Sequence, residues 1–290
     1  MTSIRARLKP LPLWAGAFLG GYTLAMLLAI DAGNTHVKFG LFEDDTLRQQ
    51  WRVRPEPGRT ADEYAALLFA LITQAGLTLG DITGVALASV VPAITPDLLR
   101  LARQHLGREP LHITPRADLG LEIAYQPPGD VGTDRLMDAV AAVARVGAPC
   151  IVIDFGTATT FNAVAAPRVL GGLPVYLGGA ICLGIGVSLD ALFSRAAKIP
   201  SIEMARPPRA IGDNTIHALQ SGIVFGYLSQ VEGLVQRFWD EMDAPGCPVV
   251  ATGGHAADLI AAETDFPILV DPTLTLTGLR LTYDRAQGRL

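Results

Sequence analysis

The sequence predicts an α/β protein built from two similar halves, each with a mixed sheet and flanking helices, and with a cleft between them. Buried apolar runs alternate with helical segments along the chain, as is typical of α/β folds. An apolar strand, an aspartate, a glycine turn and a second apolar strand also occur twice, at residues 27–41 and 150–164. Two copies of one unit indicate a duplicated fold. We therefore predict an N-terminal half at residues 26–147 and a C-terminal half at residues 148–290.

Residues 1–25 precede the first predicted strand. A basic start and an uncharged run at residues 11–30 resemble a signal peptide or membrane anchor. However, residues 27–30 form the strand that leads to Asp31, and a strand paired in a sheet cannot also lie in a bilayer. The remaining run of about 15 residues is too short to span. We predict that residues 1–25 are a disordered or non-native extension, with Met26 as a natural start, and keep a membrane anchor as the alternative.

Turn residues and hydrophobic periodicity define the elements of the first half. After the first hairpin, residues 43–45 form a polar turn into a third strand. Thr60 begins a capping box, Pro92 ends a buried strand, and Pro96 lies in the first turn of the next helix. These signals predict strands at residues 27–31, 37–41, 47–53, 84–91 and 111–114, and helices at residues 60–75 and 95–106.

A rigid loop at residues 127–129 leads into a helix whose N-terminus lies at Thr133 or Asp134. Helix N-termini favour anions, because their free N–H groups and the helix dipole both carry positive charge there. The repeated hairpin then opens the C-terminal half. The remaining predictions are strands at residues 150–155, 157–164, 248–254 and 268–271, and helices at residues 187–197, 213–242, 256–262 and 272–283.

The composition is typical of an ordered globular protein. Half of the 290 residues are hydrophobic and 18% are charged, so the chain can bury a sizeable core. The net charge of −5 and the lack of a basic block argue against a nucleic-acid partner. The three cysteines are far apart and form no CxxC pair, which favours reduced thiols and a cytoplasmic location.

The two repeated aspartates, Asp31 and Asp154, each follow a buried strand. A carboxylate there must be paired, hydrogen-bonded or metal-bound, because bare burial is costly. A turn-capping role is the alternative for either one alone. No Cys or His cluster accompanies them, so oxygen ligands favour Mg²⁺ or a monovalent cation over zinc.

The glycine turns after these aspartates suit phosphate groups, because Gly33 and Gly156 let backbone N–H groups approach an anion closely. Asn34, Thr35 and Thr157 add short polar side chains. The chain has neither a GxxxxGK[ST] sequence nor a GxGxxG after the first strand, so neither a Walker loop nor a Rossmann site is supported. Lys38 either reaches a phosphate or is a solvated strand lysine.

Asp134 beside Arg135 is the best acid–base candidate. Phosphoryl transfer to an alcohol needs a group that orients the hydroxyl and takes its proton. We expect the neighbouring guanidinium to keep this aspartate ionised and to be able to bind a substrate carboxylate. A structural Asp–Arg pair at a helix start is the alternative. The five histidines show no ligand or triad spacing.

Seven motifs occur in one order along the chain and together resemble the type III pantothenate kinases. This family belongs to the superfamily that includes the acetate and sugar kinases, Hsp70 and actin. The motifs are DAGNTHVK at 31–38, GTDR at 132–135 behind Tyr125, DFGTATT at 154–160, LGGAI at 177–181, GDNT at 212–215, QSG at 220–222 and ATGG at 251–254.

The resemblance implies a duplicated ribonuclease-H-like (actin-like ATPase) fold with two mixed sheets and a central cleft. It implies ATP-dependent phosphorylation of pantothenate to 4′-phosphopantothenate, the first step of coenzyme A biosynthesis, with Mg²⁺ and a monovalent cation, K⁺ or NH₄⁺. It also implies a homodimer that shares the pantothenate site across its interface. From the charge and the N-terminal strand we expect no nucleic-acid or membrane partner. A superfamily kinase for another small alcohol or acid, and a non-catalytic nucleotide-binding accessory protein, are the alternatives.

The resemblance also assigns roles by matched position. Asp134 would be the proton acceptor, Asp31 would bind Mg²⁺ and Asp154 would bind the monovalent cation. ATP would contact Asp31, Ala32, Gly33, Asn34, Thr35, His36, Val37, Lys38, Thr157, Gly253 and Gly254. Pantothenate would contact Tyr125, Gly132, Thr133, Asp134, Arg135 and Thr215. One departure is Leu183, where the family commonly has a proline before the glycine.

Overall fold

The computed structural model describes residues 25–195 and 202–290, and the strands in these ranges form two mixed sheets. The first sheet has the order β3-β2-β1-β4-β5, and the second β11-β10-β7-β8-β9-β6. The strands of the first sheet are β1 Met26–Ala32, β2 Val37–Glu43, β3 Thr46–Val53, β4 Ile82–Ser89 and β5 Leu111–His112. Those of the second are β6 Glu122–Ile123, β7 Cys150–Phe155, β8 Ala158–Ala165, β9 Val175–Leu183, β10 Val249–Gly253 and β11 Ile268–Val270.

The two sheets repeat one pattern of pairing. In the first, β1 pairs antiparallel with β2 and parallel with β4. In the second, β7 pairs antiparallel with β8 and parallel with β10. The two copies of the sequence repeat therefore occupy equivalent central places, which confirms the predicted duplication.

Seven α-helices flank the sheets in the described residues. They are α1 Ala61–Gln74, α2 Thr95–Arg100, α3 Thr133–Val146, α4 Ile185–Arg195, α5 Thr215–Glu241, α6 His255–Ala261 and α7 Leu274–Ala286. A π-helical stretch, Leu101–His105, continues α2. The predicted capping box is present, since the Thr60 hydroxyl accepts from the backbone N–H of Glu63 and the Glu63 carboxylate accepts from that of Thr60.

Helices α3 and α7 lie between the two sheets and share one core with both of them. Because side chains alternate along a strand, Leu27 and Ala29 of β1 face this layer, and Asp31 follows on the same face. On β7, Cys150 and Val152 face it, and Asp154 follows in the same way. The strand period thus turns both aspartates towards the space between the sheets.

Gly278 permits the close crossing of α7 on α3. A Cβ atom at this position would lie 2.0 Å from the carbonyl oxygen of Met137, closer than any real contact. Helix α3 also packs against β4 of the first sheet and β7 of the second.

The predicted elements lie close to the observed ones, with two omissions. Strands β6 and β9 were not predicted; β6 pairs with β9 in the second sheet although it precedes residue 147. One strand of the second sheet thus comes from the N-terminal part of the chain. The division of the chain into two halves at 147/148 stays a prediction. The predicted extension at residues 1–25 falls outside the described residues except for Ala25, as does the end of the predicted helix at 187–197. Within the described ranges, no helix combines the length and apolar character needed to cross a membrane.

Candidate active site

The turns of the two central hairpins meet at one place. In the first turn the N–H of Gly33 donates to the carbonyl of His36 at 3.0 Å, and in the second the N–H of Gly156 donates to that of Ala158 at 3.1 Å. The hydroxyl groups of Thr35 and Thr157 hydrogen bond to each other across the gap between the hairpins. The structure thus brings together the two turns that the sequence predicts to bind phosphate.

Lys38 forms an ion pair at the base of the first turn. It lies directly opposite Asp31 across β1 and β2, and its Nζ is 3.2 Å from Oδ2 of that aspartate. Burial lowers the pKa of Lys38, but the carboxylates of Asp31, Asp154 and Asp138 outweigh this effect, so the pKa is raised overall. Lys38 is therefore a partly exposed cation held among acidic groups, and its contact with a phosphate stays a prediction.

Asp154 occupies the equivalent place in the second hairpin, opposite Thr160. Burial raises the pKa of the Asp154 carboxyl, Lys38 opposes the rise, and Asp134 and Asp31 add to it. Three aspartates and one lysine thus share a single electrostatic environment. A cation entering this region would relieve the repulsion among the carboxylates.

No three acidic, His or Cys side chains in the described parts of the chain converge closely enough to hold a metal ion alone. This donor set still suits Mg²⁺ with a nucleotide, because Mg²⁺ usually takes one or two carboxylates and completes its shell with phosphate oxygens and water.

Asp134 lies in the first turn of α3, where the helix N-terminus favours anions. Its Oδ1 accepts a hydrogen bond from the backbone N–H of Arg135 at 2.8 Å. A Cβ atom at Gly132 would lie 2.5 Å from this same oxygen, so the glycine makes room for the carboxylate. Burial raises the pKa of Asp134, while the backbone N–H of Arg135 acts in the opposite direction.

The Arg135 guanidinium lowers the pKa of Asp134, as expected, but burial and the Asp31 carboxylate outweigh this effect. Nε of Arg135 donates to Oδ1 of Asn162 at 2.7 Å, and the net pKa of Asp134 is raised rather than lowered. Neighbouring residues on a helix point about 100° apart, so Arg135 turns into the core towards β8 while Asp134 stays at the helix end. The two side chains therefore point in different directions and contact different groups.

Asp138, which the sequence analysis missed, lies one turn beyond Asp134 on α3. It is almost completely buried and accepts a hydrogen bond from the hydroxyl of Thr275 on α7 at 2.7 Å. Burial raises its pKa well above the usual range, and Asp154 adds to the rise. The i, i+4 spacing from Asp134 was a signal for a shared helix face.

Glycines at the end of β10 lie against the second hairpin. Gly253 has a φ of +117°, and a Cβ atom there would lie 2.6 Å from the carbonyl oxygen of Phe155. Gly254 follows as the cap of α6. Both predicted nucleotide residues are thus placed beside the turn that holds Thr157.

The other predicted residues divide into two sets. Tyr125 packs against Gly178 of β9, where an added Cβ atom would meet its ring at 3.0 Å. Ala32 and Val37 pair at the end of the first hairpin, Asn34 is exposed in its turn, and Thr133 is buried in the first turn of α3.

Thr215 lies apart from these residues. It is exposed at the start of α5, beside Asn214, which caps the helix by accepting from the N–H of His217 at 2.9 Å. None of the hydrogen bonds in the described residues joins it to Asp134 or Arg135.

Leu183, where the family commonly has a proline, closes β9 opposite Ala158. The next residue, Gly184, donates its N–H to the carbonyl of Thr157 at 3.2 Å. The loop therefore supports the second turn despite the departure.

A duplicated pair of mixed sheets, with an acidic hairpin turn from each meeting in the middle, defines the ribonuclease-H-like fold of the actin-like ATPases. Two solved structures support this fold class. The (R)-2-hydroxyglutaryl-CoA dehydratase component A of Acidaminococcus fermentans has a TM-score of 0.54 at 16% identity, covering 91% of this chain and 99% of that one. The ethanolamine utilization protein EutJ of Carboxydothermus hydrogenoformans has a TM-score of 0.52 at 13% identity, covering 88% and 89%.

Sequence relatives identify the family within this class. The family model of type III pantothenate kinase matches residues 27–237. The type III pantothenate kinase of Moorella thermoacetica is 47% identical over 260 residues, which are 90% of this chain and 99% of the relative. The type III pantothenate kinase 2 of Symbiobacterium thermophilum is 46% identical, covering 91% and 98%. The chain belongs to the type III pantothenate kinase family and is a kinase, which confirms the resemblance inferred from its motifs.

Proposed function

We propose that the chain carries out its family's reaction at the meeting point of the two hairpin turns, with Asp134 as the proton acceptor. The reaction is the ATP-dependent phosphorylation of pantothenate to 4′-phosphopantothenate in coenzyme A biosynthesis. The observation that carries the assignment of the site is the convergence of Asp31 and Lys38 from the first hairpin, Asp154 from the second and Asp134 from the start of α3, beside the two hairpin turns.

The triphosphate of ATP would lie between the turns at residues 33–36 and 156–157. Small residues there would leave room for phosphate oxygens, and Lys38 would supply a positive charge near them. Gly253 and Gly254 leave space for the nucleoside next to the second turn. This arrangement positions the γ-phosphate for transfer, which is the main task in phosphoryl-transfer catalysis.

Asp31 would hold Mg²⁺ and Asp154 a monovalent cation, K⁺ or NH₄⁺. Bound cations would neutralise charge on the phosphates and would keep these crowded carboxylates ionised. The support for these two assignments is that burial, together with the neighbouring carboxylates of Asp134 and Asp31, raises the pKa of Asp154.

Asp134 is well suited to accept the proton of the pantothenate hydroxyl. The backbone N–H of Arg135 fixes its Oδ1, which leaves Oδ2 for the substrate. A raised carboxyl pKa also makes it a stronger base than an exposed aspartate.

Arg135 would bind the carboxylate of pantothenate. Its Nη2 is buried and has no hydrogen-bond partner among the described residues, although its Nε is satisfied by Asn162. A buried, unpaired guanidinium nitrogen is costly unless a ligand completes its bonding, and a carboxylate is the preferred partner of this group.

A homodimer would cover an apolar surface beside the site. On β9, the side chains of Leu177, Ile181 and Leu183 are between 40% and 67% exposed. Ile181 follows Thr160 and Asp154 across neighbouring strands of the sheet, so this surface and the acidic site share one face. A second copy packed here would bury these residues and bring its own Thr215 to the pantothenate, which would account for the exposure of Thr215 in a single chain.

One assay separates the assignment from its alternatives. The purified chain is incubated with ATP, Mg²⁺ and K⁺ and with pantothenate, sugars or acetate in turn, while ADP release is followed by a coupled reaction. Of these substrates, we expect only pantothenate to cause ADP release. We expect the Asp134→Asn variant to lose this activity. ADP release with a sugar or acetate would instead support another superfamily kinase, and ATP binding without turnover would support an accessory protein.

The dimer is tested by sedimentation equilibrium of the wild type and of Ile181→Asp. We expect a two-chain mass for the wild type and dissociation of the variant. A wild type that sediments as a monomer at micromolar concentration would contradict the shared site.

A further inference from the structure

A buried polar network lies behind Arg135 and reaches across the second sheet. Asn162 in the middle of β8 accepts two hydrogen bonds at its Oδ1, from Nε of Arg135 at 2.7 Å and from the hydroxyl of Tyr176 at 2.9 Å. Asn162 and Tyr176 are fully buried, and Arg135 is 7% exposed. Strands β8 and β9 are neighbours in the sheet and neither is an edge strand, so the network is anchored on two interior strands.

The hydrogen bonds fix which atom of the Asn162 amide faces the guanidinium. Its Nδ2 donates to the hydroxyl of Thr160 at 3.3 Å, and this leaves the carbonyl oxygen as the acceptor for Arg135. The reversed amide would place its NH₂ group against the Nε–H of Arg135, and this donor would be left unsatisfied because a guanidinium can only donate. The orientation of Arg135 about its Nε is therefore determined by the sheet and not by the loop that precedes α3.

The same network leaves one edge of the guanidinium unsatisfied. Nε is bonded, whereas the buried Nη2 has no partner in the parts of the chain that are described. A side chain whose position is fixed by a packed network, but which keeps an unused donor, is prepared for a planar anionic ligand at low cost in entropy.

We propose that Asn162 and Tyr176 are positioning residues that aim the Arg135 guanidinium at the carboxylate of pantothenate. This inference rests on the proposed function, in which Arg135 binds that carboxylate. Neither residue would touch the substrate. Their effect would be specific to the carboxylate, because the triphosphate and the reacting hydroxyl are held by other groups.

The experiment compares two ligands that differ only at the carboxylate. Dissociation constants of pantothenate and of pantothenyl alcohol, in which a hydroxymethyl group replaces the carboxylate, are measured by calorimetric competition for the wild type, Tyr176→Phe and Asn162→Ala. We expect each variant to bind pantothenate about tenfold more weakly, while its affinity for the alcohol stays within about twofold of the wild type. The preference for the acid, measured as the ratio of the dissociation constants of the alcohol and of pantothenate, would therefore fall about tenfold.

Tyr64→Phe is the matched control, because it also removes a buried tyrosine hydroxyl but lies on α1, outside the network. It should leave the preference for the acid unchanged. Arg135→Met tests the underlying assignment: if this variant keeps the preference, the proposed role of Arg135 fails, and the inference fails with it. If Arg135→Met loses the preference but Tyr176→Phe retains it, the role of Arg135 stands and the positioning role is refuted.

Equal weakening of both ligands in Tyr176→Phe would also refute the inference, because it would indicate general damage to the site. Asn162→Ala creates a cavity and could unfold the chain. In that case the test of the positioning role rests on Tyr176→Phe, which removes a single oxygen atom.

Discussion

The role of Asp134 predicts a large and specific loss of turnover in Asp134→Asn. The asparagine has the same size, and its Oδ1 can still accept the N–H of Arg135, so the first turn of α3 should keep its geometry. What is lost is the negative oxygen that takes the hydroxyl proton. General bases contribute about 10²–10⁴-fold to rate, which is about 3–5 kcal/mol of transition-state stabilisation. We expect kcat to fall by this factor, with the KM for pantothenate changed by about threefold or less.

The pH profile supplies a second readout for the same variant. Burial raises the pKa of Asp134, and a base acts only when it has lost its proton. Wild-type kcat/KM should therefore decline as the pH falls through a value above the ordinary aspartate pKa, and this limb should be absent from the residual activity of Asp134→Asn.

The assay is coupled ADP release at saturating ATP, with pantothenate varied over the pH range in which the fold is stable. Asp130→Asn is the control, since Asp130 is exposed in the loop before α3 and should have normal kinetics. A kcat within about threefold of the wild type in Asp134→Asn would refute the reasoning.

Three further predictions follow from other parts of the structure. Asp154→Ala should weaken the use of ATP and abolish stimulation by K⁺ in the same assay; an unchanged K⁺ dependence would remove the cation site. Asp138→Asn should keep the bond from Thr275 and raise Tm. The pKa of Asp138 is higher in the folded than in the unfolded chain, so wild-type stability is greatest at low pH and falls as the pH rises. The increase in Tm caused by Asp138→Asn should therefore grow from pH 5 to pH 8. An equal gain at every pH would contradict this. Gly278→Ala should lower stability by about 1–3 kcal/mol in thermal unfolding, because the new methyl group would overlap the Met137 carbonyl. Gly226→Ala on α5, where nothing lies within 4 Å, should be neutral or stabilising.

The central hairpins could be predicted from the sequence because each combines a buried strand with a polar turn. The pairing of Lys38 with Asp31 could not, since it depends on the register between β1 and β2. Strand β9 escaped prediction because its two glycines disrupt the alternating pattern. The structure explains them: Gly178 has a φ of +122° beside a β-bulge, and a Cβ atom at Gly179 would overlap the Phe161 carbonyl.

The candidate site was predictable in part. Asp31, Asp134 and Asp154 were found from their places after strands and at a helix start, and their common electrostatic environment follows from the fold. Asn162 and Tyr176 gave no usable signal, since both read as ordinary strand residues until β8 and β9 are paired. The direction of Arg135 was also hidden, because adjacency in sequence suggested an ion pair that helix geometry does not allow.

The central claim is that the two hairpin turns and the start of α3 form one phosphoryl-transfer site. A crystal structure of the chain with a non-hydrolysable ATP analogue, Mg²⁺ and pantothenate tests it most directly. We predict the γ-phosphate between residues 33–36 and 156–157, and the pantothenate hydroxyl within hydrogen-bonding distance of the Asp134 carboxylate. A nucleotide bound away from both turns, or a pantothenate hydroxyl that faces away from Asp134, would contradict the account.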